Sequence, residues 1–272
     1  MLTVNQLFIY PIKSLGGIEV SSAKVTDRGF EYDRRWMLVD DTNCFLSQRE
    51  LPEMSLLQVR IESDGLYVFT KKDIQQSIFI PFEIQQNKSI QVKVWDDLCD
   101  VVEISGQINE WFSTQLKQNC KLVFMPENSI RKVDKEYATN GEVTSFSDGY
   151  PFLLIGQSSL DDINSRLNDQ ISIERFRPNI VFTGGVPFQE DTMEHFTINQ
   201  IDFYGVKLCG RCVITTINPD NATISKEPLK TLSTYRMKNN KVYFGQNLLH
   251  KGNGLIQVGD ELIILKQKEN VF

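Results

Sequence analysis

The chain has 272 residues, 41% hydrophobic and 24% charged, enough for two modest domains or one large one around a sizeable core. Its formal net charge of −6 argues against a general nucleic-acid or anionic-membrane binder, because such surfaces are held through clustered lysine and arginine, so any anionic ligand must be gripped locally. No window approaches the roughly 18 consecutive apolar residues of a membrane span, and no basic stretch precedes an apolar run at the start. With an odd set of five cysteines, the expectation is a cytoplasmic protein with reduced thiols.

Leu2, Val4, Phe8 and Tyr10 fall at even positions and predict a first strand, broken at Pro11 and followed after Gly16 and Gly17 by a second through Ile18, Val20, Ala23 and Val25. The loop from Tyr10 to Gly16 holds Lys13 and Ser14. A cation, a hydroxyl and free backbone amides together suit an anion; the plain alternative is a hairpin loop with a solvated Lys13. Gly29 to Asp40 is a charged cluster feeding an apolar strand. Arg34 and Arg35 on a strand would point to opposite faces, so at most one can enter a given site. The bland account is an Asp33 salt bridge beside a core Trp36, with Ser47 to Pro52 closing the segment as a loop.

Short β-like runs (Leu56 to Ile61, Leu66 to Phe69, Ser77 to Phe82, Ile90 to Trp95, Val101 to Ile104) then alternate with polar turns, as in a meander or barrel. Ile108, Trp111, Phe112 and Leu116 carry helical spacing over Gly106 to Gln118. Glu127 to Gly141 is polar and patternless, a candidate linker or mobile loop. A second unit starts near Ser145 to Pro151, ahead of a strand at Phe152 to Ile155. Ser158 and Ser159 stand three residues before Asp161 and Asp162, a capping-box spacing, and Leu160, Ile163 and Leu167 extend a helix. Arg175, Phe176, Arg177, Pro178 and Asn179 lead into a strand at Ile180 to Phe182, and Ile198 to Val206 reads as a hairpin arm. Pro228 opens a short helix through Leu229, Leu232 and Tyr235. Ile256 to Leu265 reads as two strand pieces joined at Gly259 and Asp260.

The stretch Leu208 to Asp220 sets Cys209 and Cys212 three residues apart, with Arg211 between them, and runs into Val213 to Ile217, a β-branched segment that predicts a strand. The thiols would sit at that strand's mouth. Structural zinc takes four nitrogen or sulfur ligands, and the other cysteines, His195 and His250 fall at no ligand spacing. A thioredoxin-type dithiol needs its first cysteine at a helix N-terminus, which a strand does not supply. What stays open is a buried structural pair with Arg211 pointing outward, or a single thiolate that binds a soft metal or carries sulfur. Lys13, Arg34, Arg177 and Arg211, with Ser14, Asp148 and Asn179, come from separate loops and could clamp an anionic cofactor if the loops converge.

In this order the segments Tyr10 to Ser14, Asp33-Arg34 with Trp36, Ser147-Asp148, Pro151-Phe152, Phe176 to Asn179, Cys209 to Thr216 and Val258 to Asp260 resemble the MOSC-domain proteins with an N-terminal β-barrel-type domain, the group that includes the mitochondrial amidoxime-reducing component. The resemblance implies a mainly β fold with several helices (α+β): a β-barrel-like MOSC domain over residues 126–272 and an N-terminal β-rich domain over residues 1–125, with a cofactor cleft between them. It implies a molybdenum cofactor, a molybdopterin whose metal takes the second cysteine, here Cys212. Lys13, Ser14, Arg34, Arg177 and Asn179 match positions that hold the pterin and its phosphate, and Asp148 falls on the loop beside the metal. Gly149, Tyr150 and Gly210 stand where relatives often carry hydroxyl residues, so contacts there would come from backbone amides or water.

The activity implied is reduction of N-hydroxylated small molecules, with electrons from a separate reductase, ferredoxin-like or cytochrome-type protein and no nucleic-acid or membrane partner. The alternative is a sulfur carrier with a persulfide on Cys212. A pyridoxal-phosphate role, sometimes associated with the family, finds no clear Schiff-base lysine motif.

Overall fold

The computed structural model describes residues 1–83, 88–138, 140–270 and 272. The first strands are β1 (Leu2–Ile9), β2 (Ile18–Val20), β3 (Ser22–Thr26), β4 (Gly29–Phe30) and β5 (Trp36–Val39). A meander follows, β6 (Leu57–Ile61), β7 (Gly65–Thr70) and β8 (Asp73–Pro81), then the hairpin β9 (Lys88–Val94) and β10 (Asp97–Glu103). Helix α1 (Gly106–Leu116) leads to β11 (Lys121–Phe124). Its N-cap Ser105 accepts a hydrogen bond from the Ile108 amide, and it buries Ile108, Phe112 and Leu116 of the stripe expected from sequence, with Trp111 partly buried against the same core. Strand β5 pairs with β11, and every residue in it is buried. Trp36 and Leu38 enter one core with the meander and α1, while Met37 and Val39 enter another with β9 and β10, which explains its unbroken apolar run.

The second half adds β12 (Phe152–Gly156), α2 (Gln157–Arg166), β13 (Ile180–Thr183), β14 (Met193–Ile198), β15 (Ile201–Gly210), α3 (Leu229–Ser233), β16 (Met237–Lys238), β17 (Lys241–Lys251), β18 (Gly254–Gln257) and β19 (Glu261–Gln267). Strands β12, β13, β1, β19, β14, β15 and β17 pair in that order, and β17 returns to β12, closing a seven-stranded barrel. Closure leaves these strands no free edge. Strand β1 lies inside this barrel and β3 pairs with β18, so the two ends of the sequence are interleaved. No helix among the described residues is long and apolar enough to cross a membrane.

Four local expectations change. In β1, Val4 pairs with Phe182 and Gln6 with Val181, so Asn5 bulges and the alternation changes phase. Val4, Leu7 and Ile9 face the barrel core, while Phe8 and Tyr10 pack on its outside with α2. Ser158 and Ser159 form no capping box: α2 starts at Gln157 after Gly156, and the Ser159 hydroxyl instead donates to Glu190 Oε2 at 2.9 Å. Ile198 to Val206 is not one arm, because the hairpin turns at Asn199 and Gln200 between β14 and β15. Glu127 to Gly141 is anchored at several points: Arg28 donates to Glu127 O and Ser129 O at 2.6 Å, and Val133 and Ala138 are buried against Leu249. Thr139 of that stretch lies outside the described residues.

The 3-10 turn Gln189–Thr192 packs on β12, β15 and β17 and buries two adjacent acids. Burial, reinforced by the neighbouring Asp191 charge, pushes Glu190 up to about 7. An acid raised in the folded state binds more protons there than when unfolded, so its contribution falls as pH rises from its ordinary value through about 7 and levels off above. We expect Glu190→Gln to remove this slope, so that its stability relative to wild type gains on the order of 2–3 kcal/mol between pH 5 and pH 8. Urea unfolding at the two pH values measures it, and a constant difference contradicts it.

Candidate active site

The sequence candidates meet in one cleft of about 350 Å³. Lys13 and Ser14 come from the loop after β1, Arg34 from the turn before β5, Asp148, Gly149 and Tyr150 from the loop before β12, and Arg177 and Asn179 from the segment before β13. Gly210 and Cys212 come from the end of β15. Separations of more than a hundred residues are closed because β1, β12, β13 and β15 belong to the same barrel.

The loop after β1 is not a solvated hairpin. Lys13 is 5% exposed and donates to Phe146 O at 2.8 Å and Asp148 Oδ1 at 2.6 Å. Burial pulls Lys13 down to about 8 despite Asp148, so it stays mostly charged at neutral pH. Burial by itself would raise Asp148, but Lys13, Arg49 and Arg34 outweigh it and hold the carboxyl well below the usual carboxylate range. Its side chain is 63% exposed, so water in the cleft screens part of that effect. Asp148 is ionised at neutral pH.

Arg34 and Arg35 do not alternate on a strand, because Arg34 has φ +50° and precedes β5. Arg34 turns into the cleft and bonds Asp33 Oδ2 at 2.6 Å and Asn179 Oδ1 at 3.1 Å; Arg35 turns away to Met125 O and Glu127. The expected Asp33 salt bridge beside a buried Trp36 is therefore present, and it holds a cleft arginine in place. Burial opposes the charge on Arg34, but Asp33 beside it more than compensates and raises its pKa. Burial pulls Arg177 down to about 10, against the weaker opposing pull of Asp148 and Asp33. Asn179, 2% exposed, accepts from the Leu153 amide and donates to Phe8 O, tying β12 to β1 under these side chains.

The thiol pair sits differently from the expectation. Cys209 belongs to β15, Cys212 follows it in extended conformation, and Val213–Thr216 is a 3-10 turn and not a strand. The β-branched preference loses to local hydrogen bonds, since the Thr215 amide and hydroxyl both donate to Cys212 O and the Thr216 hydroxyl to Val213 O. The first cysteine still lies in a strand, so the dithiol argument stands on Cys209 itself. Arg211 points inward, donating to Phe244 O at 2.8 Å and Phe176 O at 2.9 Å, which removes the picture of a sheet pair with an outward arginine. Its Nη2 is buried with no partner. Burial pushes the Cys209 thiol up.

Three cleft residues were not foreseen. Arg49 donates to Cys212 Sγ at 3.3 Å, lies 3.8 Å from Asp148 and stacks 4.7 Å over the Trp95 ring. Arg175 lines the same cleft. Loop residues 163 positions from Cys212 leave no local mark of that contact in the sequence. Among the described residues no cluster of three or more His, Cys, Asp or Glu could hold a metal alone. The donors do fit a soft metal carried by an anionic cofactor: two thiols, of which Cys212 receives Arg49, an unpartnered buried guanidinium nitrogen and several cations around a single carboxylate. A Cβ at Gly149 would meet nothing within 4 Å, so that side of the cleft is open space.

Beside the seven-stranded barrel, two thiols and several converging cations thus share one cleft. Residues 1–119 match the MOSC N-terminal beta barrel domain and residues 141–263 the MOSC domain. Mitochondrial amidoxime-reducing component 1 of Mus musculus is 34% identical over 97% of this chain and 83% of its own length, and that of Homo sapiens 31% over the same shares. A molybdenum cofactor sulfurase of Oryza sativa is 30% identical over 89% of this chain but only 32% of its own length. The chain belongs to the MOSC-domain family, in the group with an N-terminal MOSC barrel domain.

Proposed function

We propose that the chain is a molybdenum-cofactor-dependent oxidoreductase that reduces N-hydroxylated compounds (hydroxylamines, amidoximes or N-hydroxylated bases), with Cys212 as the protein ligand to the metal. The observation that carries this is the Cys212 thiol, accepting from Arg49, in a cleft where cations outnumber the one carboxylate. The names of the amidoxime-reducing relatives support the reaction class. Bound there, the cofactor would supply the two-electron chemistry that removes the hydroxyl oxygen from nitrogen.

The chain's own residues would bind and orient. Arg34, Arg177 and Lys13, which line the cleft, would take the phosphate with Ser14 and Asn179, and Gly149, Tyr150 and Gly210 would line the pterin side. Asp148, ionised at neutral pH, orients Lys13 and can accept an N–H or O–H of substrate, but does not deliver a proton. The overall reduction consumes two electrons and two protons and releases water, so a separate electron-donor protein belongs to this reading. Protein expressed in a cofactor-competent host should turn over a hydroxylamine and an amidoxime with an artificial donor; metal-replete protein inert toward both contradicts it. Arg49→Ala should cost about 10–100-fold in that turnover with the melting temperature unchanged, the span typical of groups that hold a metal ligand. A loss under twofold would count against Arg49 supporting the ligand.

The sulfurase relative favours a second reading, a persulfide carrier at Cys212. Mass spectrometry of a labile sulfur adduct, against metal analysis of the same sample, separates the two.

A further inference from the structure

Two of the cleft's cations share one aromatic ring. Arg34 Cζ lies 4.4 Å and Arg177 Cζ 4.3 Å from the centroid of Tyr10, which is 1% exposed and stands behind the cleft wall. The β1 bulge at Asn5 turns Tyr10 outward to this place. Gly17 fixes the ring's edge, since a Cβ there would come within 2.4 Å of Tyr10 Cε1. The two guanidiniums are then oriented by fixed acceptors: Arg34 by Asp33, Asn179 and Arg177 O, Arg177 by Leu15 O at 2.7 Å. Ser14, Arg34 and Arg177 all have φ between +50° and +69°, a costly backbone state for non-glycine residues that surrounding contacts must hold. The Tyr10 hydroxyl has no hydrogen-bond partner among the described residues.

We propose that Tyr10 is a positioning residue whose ring, and not its hydroxyl, holds Arg34 and Arg177 together as a preformed clamp for a phosphate-type dianion. Like charges held close repel each other, and the quadrupole of a shared, buried ring offsets that repulsion until an anion arrives. Burial keeps the phenol neutral well past the usual tyrosine range, so no phenolate competes for the two cations. The clamp concerns the phosphate side of the proposed cofactor site, but it is a property of the chain without cofactor and is tested without turnover.

The probe is inorganic phosphate, titrated calorimetrically into cofactor-free protein, with Arg177→Gln as the control that binding is in the cleft. Tyr10→Phe should bind within twofold of wild type, because the ring remains. Tyr10→Leu should bind at least about tenfold more weakly, the effect of losing a desolvated cation–π contact. Should Tyr10→Leu fail to fold, Gly17→Ala displaces the ring without changing it, and the same weakening is expected. Wild-type affinity in a folded Tyr10→Leu or Gly17→Ala, or equal losses in Tyr10→Phe and Tyr10→Leu, overturns the proposal. So does wild-type protein that does not bind phosphate, or binds it unchanged in Arg177→Gln. Failure to reduce N-hydroxylated compounds would count against the proposed function alone and leave these phosphate results standing.

Discussion

Cys212→Ser is expected to lower turnover of N-hydroxylated substrates by more than about 100-fold, beyond the 10–100-fold span for residues that only support a metal ligand. A thiolate is a soft, polarisable donor suited to a soft metal, whereas a serine hydroxyl is hard and stays protonated at neutral pH. The replacement leaves the backbone contacts intact, since Thr215 bonds the Cys212 carbonyl and not its side chain. Folding should therefore be unaffected. Cys209→Ser is the companion: its thiol faces the same cleft but receives no arginine, and its loss should stay under about tenfold, well short of the ligand effect. Steady-state rates on the two variants, normalised to folded protein, check the asymmetry. Equal losses would mean that the pair acts as a unit.

The largest effect on stability is expected at Asp191→Ala. Asp191 is 0% exposed and Arg236, its partner at 2.5 Å, is 2% exposed. Arg236 also donates to Tyr243 O and lies against the Phe188 and Phe272 rings, contacts that cannot neutralise it. Burial raises the Asp191 pKa in spite of Arg236, so the pair contributes little net stability, yet removing one member strands the other. A loss of about 3–5 kcal/mol is expected in urea unfolding. Arg236→Met with Asp191→Leu should recover most of it, because an apolar pair leaves no buried charge. A single-variant loss below about 1 kcal/mol would show that water reaches the site.

Sequence reasoning named most of the residues that gather in the cleft because their chemistry is dense and local: a lysine and serine in a glycine-closed loop, paired arginines, and two cysteines around Arg211. The stripe of α1 and the apolar strand β5 were equally legible, since periodicity and composition act within one element, whereas the burial of β5 on both faces follows from the two cores it separates. What failed depended on tertiary contacts. The Asn5 bulge changes the phase of β1 only because β13 sets its register. Val213 to Thr216 has strand-forming side chains, yet the Cys212 and Val213 carbonyls recruit its hydroxyls into a 3-10 turn. Ser159 looked like a cap and is a buried partner of Glu190. Arg49 escaped notice because nothing near it in the chain marks a loop that returns to Cys212.

The central claim is that Cys212 holds the metal of a molybdenum cofactor in this cleft. Metal analysis with pterin quantification on protein from a cofactor-competent host, wild type beside Cys212→Ser, tests it most directly. Molybdenum and pterin near one each per wild-type chain are expected, with molybdenum sharply depleted in the variant while its fold is unchanged. Wild-type protein without molybdenum or pterin, or a Cys212→Ser variant that retains both at wild-type levels, would contradict it.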